Sequence, residues 1–486
     1  MNESTYQDLL EVGENERARI DFCIGAISKH KASKEYQTAE TAREYDQQRN
    51  VTINKYQKML YKITGEAVKD AFSANHKCAS NFFHRFVVQQ TQYLLGNGVS
   101  FEDEKIKGEL GGDKFDIRMK EAGRQALIAG VSYGFYNLNT VQIFKFTEFV
   151  PLIDEEDGGL KAGIRFWQIN DSKPLRFTLY EMDGYTEYIR LEGEEPQIYK
   201  EKRPYVIDVR YEGGDTEGEI IDGRNYPGFP IVPFYANENH QSLLVGMREN
   251  IDCYDLIKSG FANDLDDASL IYWTLENAGG MDDIDLVRFI ERMKTLKAAV
   301  VDGDGGARAE AHTMDVPYQG RQAYLERLEA DLYRDAMALN VNQISGGNIT
   351  ATAIMAAYDP MDGNANEFED QAVNFIDSLL ALAGYDDQVK YSFKRSRIAN
   401  QTEETTMVLA AGQYLDQETI LRHLPFLTAD EIDGILDRTT AEEAERYQQI
   451  ESENEQLKAM LANGQPEAEN ANQNETSKEN TEENDK

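Results

Sequence analysis

The chain is 486 residues long and 41% hydrophobic, with 87 acidic against 50 basic side chains and a formal net charge of −37. That charge repels phosphate at long range and counts against tight, sequence-reading nucleic-acid binding. A mean hydropathy of −0.60, with no run of about 18 uncharged apolar residues, excludes a membrane-spanning helix and points to a soluble protein of several modules. Cys23, Cys78 and Cys253 lie far apart with no Cys-x-x-Cys pair, so neither a disulfide framework nor a zinc ribbon is readable, and three buried thiols are expected. Met1-Asn2-Glu3-Ser4-Thr5 lacks the basic region and apolar run of a signal peptide, which places synthesis in a cytosol.

In chain order, residues 4–49 carry a charged helical pattern with few large apolar residues after Ile27, and read as an arm that docks on a partner. From Val51 to Leu95 the pattern is helical and aromatic, through Phe72, Phe82, Phe83, Phe86, Val87 and Tyr93, and it stops at Gly96-Asn97-Gly98. A further helix spans about Asp116 to Ala129 and breaks at Gly130. Between Gly134 and Pro233 the period falls to two. Phe144-x-Phe146, Ile164-x-Phe166, Phe177-x-Leu179, Tyr188-x-Arg190 and Tyr205-Val206-Ile207-x-Val209 alternate, with turns at Asp157-Gly158-Gly159, Asp183-Gly184, Gly193 and Gly213-Gly214. These are antiparallel strands.

Two long helices follow. Leu244, Met247, Ile251, Tyr254, Ile257, Phe261 and Leu265 recur at steps of three and four, which predicts one helix from Gln241 to Asp266, about 39 Å long. Leu325, Leu328, Leu332, Ala336 and Leu339 do the same within 321–344, and charged residues fill most of the remaining circumference. Each helix therefore offers a narrow stripe and needs neighbours. Between them, Asp282 to Leu296 has helical spacing, Ala298-Ala299-Val300-Val301 reads as a strand, and Asp302-Gly303-Asp304-Gly305-Gly306 as a tight turn. Val389 to Phe393 is one more strand and Gln401 to Ala462 returns to helix. The last segment, 463–486, has no large apolar residue and is expected to be disordered.

Asn81-Phe82-Phe83-His84-Arg85-Phe86-Val87-Val88-Gln89-Gln90-Thr91-Gln92-Tyr93-Leu94-Leu95-Gly96 resembles the helix that ends in Tyr-Leu-x-Gly in portal proteins of tailed bacteriophages, of the siphophage type. Pro230-Ile231-Val232-Pro233-Phe234-Tyr235 resembles that family's entry to its stem helix. Gly347-Asn348-Ile349-Thr350-Ala351-Thr352-Ala353-Ile354 resembles its tunnel-loop segment, although Ser/Gly-Ala-Leu-Lys is more typical there. The resemblance covers roughly Val51 to Ala399. It implies an α+β portal fold assembled as a ring: an arm over 1–50, an α/β wing over 51–235, a first stem helix over 236–266, a small α/β clip over 267–317 and a second stem helix over 318–344. The tunnel loop and the start of a crossing helix would take 345–364, a wing return 365–399, a helical crown 400–462, and an acidic tail 463–486.

The same resemblance implies a homododecamer at one capsid vertex, with no enzymatic activity, no cofactor, no metal and no membrane. Its partners would be the terminase large subunit, the major capsid and scaffolding proteins, a head-tail adaptor, and double-stranded DNA that passes without being read. The ring would assemble in the bacterial host cytoplasm and remain in the virion. Ser345, Gly346, Gly347, Asn348, Ile349 and Thr350 would form the tunnel loop, and Leu244, Met247, Ile251, Tyr254, Leu325, Leu328 and Leu332 would pack the stem.

Other chemistry is weakly represented. Asp302-x-Asp304 has Thr313 where a calcium loop needs its twelfth-position acid, and Ser345-Gly346-Gly347-Asn348 lacks the Gly-Lys-Ser/Thr of a phosphate loop. Six scattered histidines sit in no catalytic motif. Acidic pairs such as Asp266/Asp267, Asp282/Asp283 and Glu194/Glu195 keep a carboxylate-based hydrolase as an alternative, and another head-tail ring component is a second. Arg248 and Lys258, about 80° apart on a helical wheel, and Arg395 with Arg397 are candidate phosphate contacts; pairing with neighbouring acids is the competing reading.

Overall fold

The structure, a computed structural model, describes residues 4–62, 64–70, 73–210, 219–268, 272–276, 308–312, 317–341, 351–385, 389–396, 408–424 and 429–462, with a few single positions between them. The chain divides into two units, Met1–Arg397 and Ile398–Lys486.

Alternation builds the sheets of the first unit. In a three-stranded antiparallel sheet, Val131–Asn137 lies between Ile231–Tyr235 and Thr140–Lys145, with Phe135 opposite Ile231 and Tyr133 opposite Phe144. Tyr136, Val141, Val232 and Phe234 face the helices Phe82–Leu95, Asp113–Ala129 and Ala351–Ala383, and share one core with Leu95, Met119, Phe368 and Phe375. Gly134 must be glycine for this, because a Cβ there would stand 2.4 Å from the Phe375 ring. The opposite face presents Tyr133, Phe135 and Phe144 to an aromatic layer with Phe149, Tyr180 and Tyr205. These last residues belong to or border a five-stranded meander of Phe149–Ile153, Leu160–Trp167, Leu175–Glu181, Gly184–Arg190 and Gln197–Arg203. Three of the four turns expected from glycine positions lie where the sequence places them; Gly213-Gly214 lies outside the described residues.

The amino-terminal segment departs from the expected arm. Its helices Tyr6–Val12, Glu16–Ala32 and Lys34–Asp46 are part of the first unit's cores. Ile20, Cys23, Ala26 and Ile27 interleave with Val150, Leu152, Ile164, Phe177 and Leu179 of the meander, and Ala42 and Tyr45 enter the main core. Large residues, Leu9, Ile20, Ile27 and Tyr45, and small ones, Cys23, Ala26 and Ala42, share the contact. Burial pushes the Cys23 thiol up to about 12, whereas Cys78 and Cys253 are half-buried, so the expectation of three buried thiols holds only for Cys23.

The helical pattern expected over Val51–Leu95 is also broken. A short helix Val51–Lys55, a hairpin of Met59–Tyr61 with Ala67–Lys69, and a stretch over 74–80 in neither helix nor strand precede the helix Phe82–Leu95. The helix Asp113–Ala129 does end at Gly130, where φ is +95° and a Cβ would stand 2.6 Å from the His240 carbonyl oxygen, so a side chain is excluded. Tyr391–Phe393 pairs antiparallel with Val99–Phe101. In the second unit, Asp416 caps Gln417–His423 and a 34-residue helix spans Ala429–Ala462. Residues 463–486 lie outside the described residues.

Candidate functional site

The long helix begins at Arg248, not Gln241, and runs 21 residues to Ala268, about 32 Å. Gly246 adopts φ +87°, and Ser242 Oγ donates to the Ile128 carbonyl at 2.6 Å and accepts from the Leu244 amide at 3.2 Å, so the lead-in is held as turns. Leu244 and Met247 therefore enter the core from those turns, with Ile251 from the first turn of the helix.

Beyond Ile251 the buried face is polar. Asp255, Ser259 and Asn263 follow at steps of four and are buried. They accept the amides of Ser80 at 2.7 Å, Cys78 at 2.9 Å and His76 at 2.6 Å. Four helical residues rise about 6.0 Å and two extended residues about 6.6 Å, so a helix face and an extended backbone running opposite to it stay matched over three rungs. Asn50 donates to the other Asp255 oxygen, and Thr52 donates to Asp252 at 2.7 Å. Burial raises the Asp255 carboxyl above its usual range, against the hydrogen bonds from Asn50 and Ser80. Of the expected apolar stripe, Tyr254 packs edge-on to Phe82 at 5.0 Å, Ile257 and Phe261 are half-buried, and Leu265 is exposed.

The second helix, Tyr318–Asp335, stops well before residue 344 and is followed by Met337 at φ +49°. Leu328 and Leu332 are buried and Leu325 is half-buried; Tyr333 meets Phe86 at 5.3 Å beneath the Arg85 guanidinium. Asn250 donates to Asp335 at 3.0 Å, and Arg321 pairs with Asp264. From the first contact to the second, one helix advances fourteen residues, Asn250 to Asp264, while the other goes back fourteen, Asp335 to Arg321, so the helices lie antiparallel and side by side over about 21 Å. At the far end Tyr272–Glu276 pairs with Arg308–His312, Tyr272 opposite His312, forming a two-stranded ribbon that closes the base of the insert. The helix and strand expected over 282–301, and the acidic turn at 302–306, lie outside the described residues apart from single positions.

The third helix, Ala351–Ala383, carries six carboxylates and no cation, with Pro360 inside it. Its middle is tied down by Arg395, which donates to Asp362 and Glu369, both at 2.8 Å, and to Asn366; Tyr93 donates to Asp362 at 2.6 Å. Two other candidate phosphate contacts, Arg248 and Lys258, are also engaged within the chain. Arg248 lies 3.7 Å from Asp252, and the Lys258 ammonium stands 5.9 Å over the Tyr254 ring. Arg397 and the loop Ser345 to Thr350 lie outside the described residues. Sequence reasoning missed the polar rungs and the Arg395 clamp, although the spacing Asp255, Ser259, Asn263 and Asp362, Asn366, Glu369 is visible in the sequence.

A family described as phage portal protein, SPP1 Gp6-like, matches residues 26–457. The chain belongs to this portal family. Its function is that of a tailed-phage portal protein, and the family is structural rather than enzymatic. The portal protein of Clostridium phage phiCD119 is 25% identical over 399 residues, covering 73% of this chain and 82% of the relative. The portal protein of Bacillus phage SPP1 is 25% identical over 416 residues, covering 77% and 78%. Among solved structures, the neck of a native GTA particle computed with C12 symmetry aligns at TM-score 0.38 and 13% identity, over 72% of this chain and 91% of the other. The neck of an empty GTA particle computed with C6 symmetry aligns at 0.39 and 12%, over 71% and 90%. Among the described helices of this portal chain, none is long and apolar enough to cross a membrane.

Proposed function

We propose that the chain forms a ring of about a dozen copies at one capsid vertex, with the paired helices Arg248–Ala268 and Tyr318–Asp335 as its stem, and that terminase drives DNA through it. The observation that carries the reading is the portal family match across 26–457, joined to an antiparallel helix pair whose insert is closed by a ribbon. The insert between them is then the clip that meets terminase during packaging and the head-tail adaptor afterwards. Capsid and scaffolding proteins meet the wing side.

The charge of the helices suits passage rather than grip. Each phosphate neutralised by Lys or Arg adds salt-sensitive affinity and therefore drag. Arg248–Ala268 carries six acids against two bases, and Ala351–Ala383 carries only acids, so neither makes a phosphate-binding wall. The loop Ser345 to Thr350 projects into the channel and moves as DNA passes.

The test replaces Gly346 and Gly347 together with Val, because β-branched residues disfavour the φ > 0 conformations open to glycine. Rings seen by microscopy should persist while nuclease-protected DNA in the particles is lost. Rings with a normal DNA content would remove the gating role.

A further inference from the structure

The helix Ala429–Ala462 is 34 residues long, about 51 Å, and after its first turns its described side chains from Thr440 to Lys458 are exposed. Helices in water draw most of their stability from a packed face, so five exposed turns call for a partner. Tyr447 is 73% exposed and Ile450 47%. They open a run at steps of three and four: Tyr447, Ile450, Asn454, Leu457, Leu461, the a and d positions of a heptad pattern. Glu443 occupies the preceding d position, so the seam starts at Tyr447 and spans fifteen residues.

The flanking charges choose the occupant. With Tyr447 at a, Arg446 and Glu453 take g positions, and Glu451 and Lys458 take the e positions five residues further on. In a parallel, in-register pair, g of one helix meets e of the other in the next heptad. Arg446 then faces Glu451 of the second copy, and Glu453 faces its Lys458. Both pairs are of opposite sign. Asn454 at an a position adds a polar layer that fixes register and favours two strands.

We propose that the exposed face of Ala429–Ala462 is covered by the same helix of a second copy, running parallel and in register from Tyr447 to Leu461. The direction also rests on the ring reading, since copies related by a rotation axis point equivalent helices the same way. One seam takes one partner, so in a ring these helices join in pairs. A seam of two heptads is weak between free chains, and the ring supplies the local concentration that closes it.

The experiment uses the full chain with Cys78 and Cys253 replaced by Ser, and adds either Ile450→Cys on the seam or Ser452→Cys on the outer face. Under mild oxidation Ile450→Cys should link copies into disulfide dimers several-fold more than Ser452→Cys. Arg446→Glu should lower that yield, and Arg446→Glu with Glu451→Arg should restore it. Equal linking at both positions, or no linking at Ile450→Cys in rings that microscopy finds intact, overturns the seam while leaving the ring standing. Seam-specific linking without rings keeps the seam and overturns the ring.

Discussion

Asp255 illustrates why a buried acid need not be catalytic. It is fully buried, accepts from Ser80 and Asn50, and anchors the first rung that fastens an extended backbone to the long helix. Asp255→Ala leaves two buried donors without that acceptor, and about 2–5 kcal/mol of stability should be lost, read as a lowered denaturation midpoint. Ser259→Ala removes one acceptor from the half-buried Cys78 amide and should cost about 1 kcal/mol. His30 gives a pH dependence of definite sign. Burial holds its pKa below the usual value, and its Nε2 lies 3.0 Å from the Phe146 carbonyl. The unfolded chain takes up this proton below about pH 6.5 while the folded chain resists, so stability is full above that pH and falls as pH drops toward the folded value. Unfolding measured at pH 7.5 and 5.5 should show this loss, and His30→Phe should reduce the slope; an unchanged slope would assign the acid sensitivity to other groups. None of these roles is marked by residue type alone: the sequence shows an Asp and a His, and only the facing backbone makes them structural.

At the scale of elements, the leucines of the second helix were legible and the start of the first was not. Leu328 and Leu332 recur at helical spacing and are buried, because a narrow stripe has one way to face a core. Leu244 and Met247 keep the same spacing yet sit in turns, since Gly246 at positive φ ends the regular run and spacing cannot report φ. The polar stripe was missed for a related reason: apolar periodicity finds faces that pack on side chains, and Asp255, Ser259 and Asn263 pack on backbone amides. Leu332→Ala should cost about 2–5 kcal/mol, and Leu325→Ala clearly less because it is half-buried. Leu332→Asp buries an unpaired charge and should abolish folding or assembly, read by gel filtration and circular dichroism. Wild-type behaviour of Leu332→Asp would mean that the stripe is not a packing face.

For the whole molecule, three short motifs in order carried the family where composition alone did not, since a charge of −37 is compatible with many soluble proteins. The amino-terminal segment reads as an arm because its large apolar residues are sparse beyond Ile27, where Ala39, Ala42 and Tyr45 are nevertheless buried in the first unit's cores. Deleting 463–486 should leave the melting temperature and assembly unchanged, because that stretch has no large apolar side chain to pack. A fall of several degrees would make it a docking segment. We propose that this chain works as a closed ring. Ring formation is tested most directly by electron microscopy of the purified full chain at micromolar concentration and physiological salt: rotational class averages should show about a dozen subunits around a central hole. A population that remains monomeric under those conditions would contradict it.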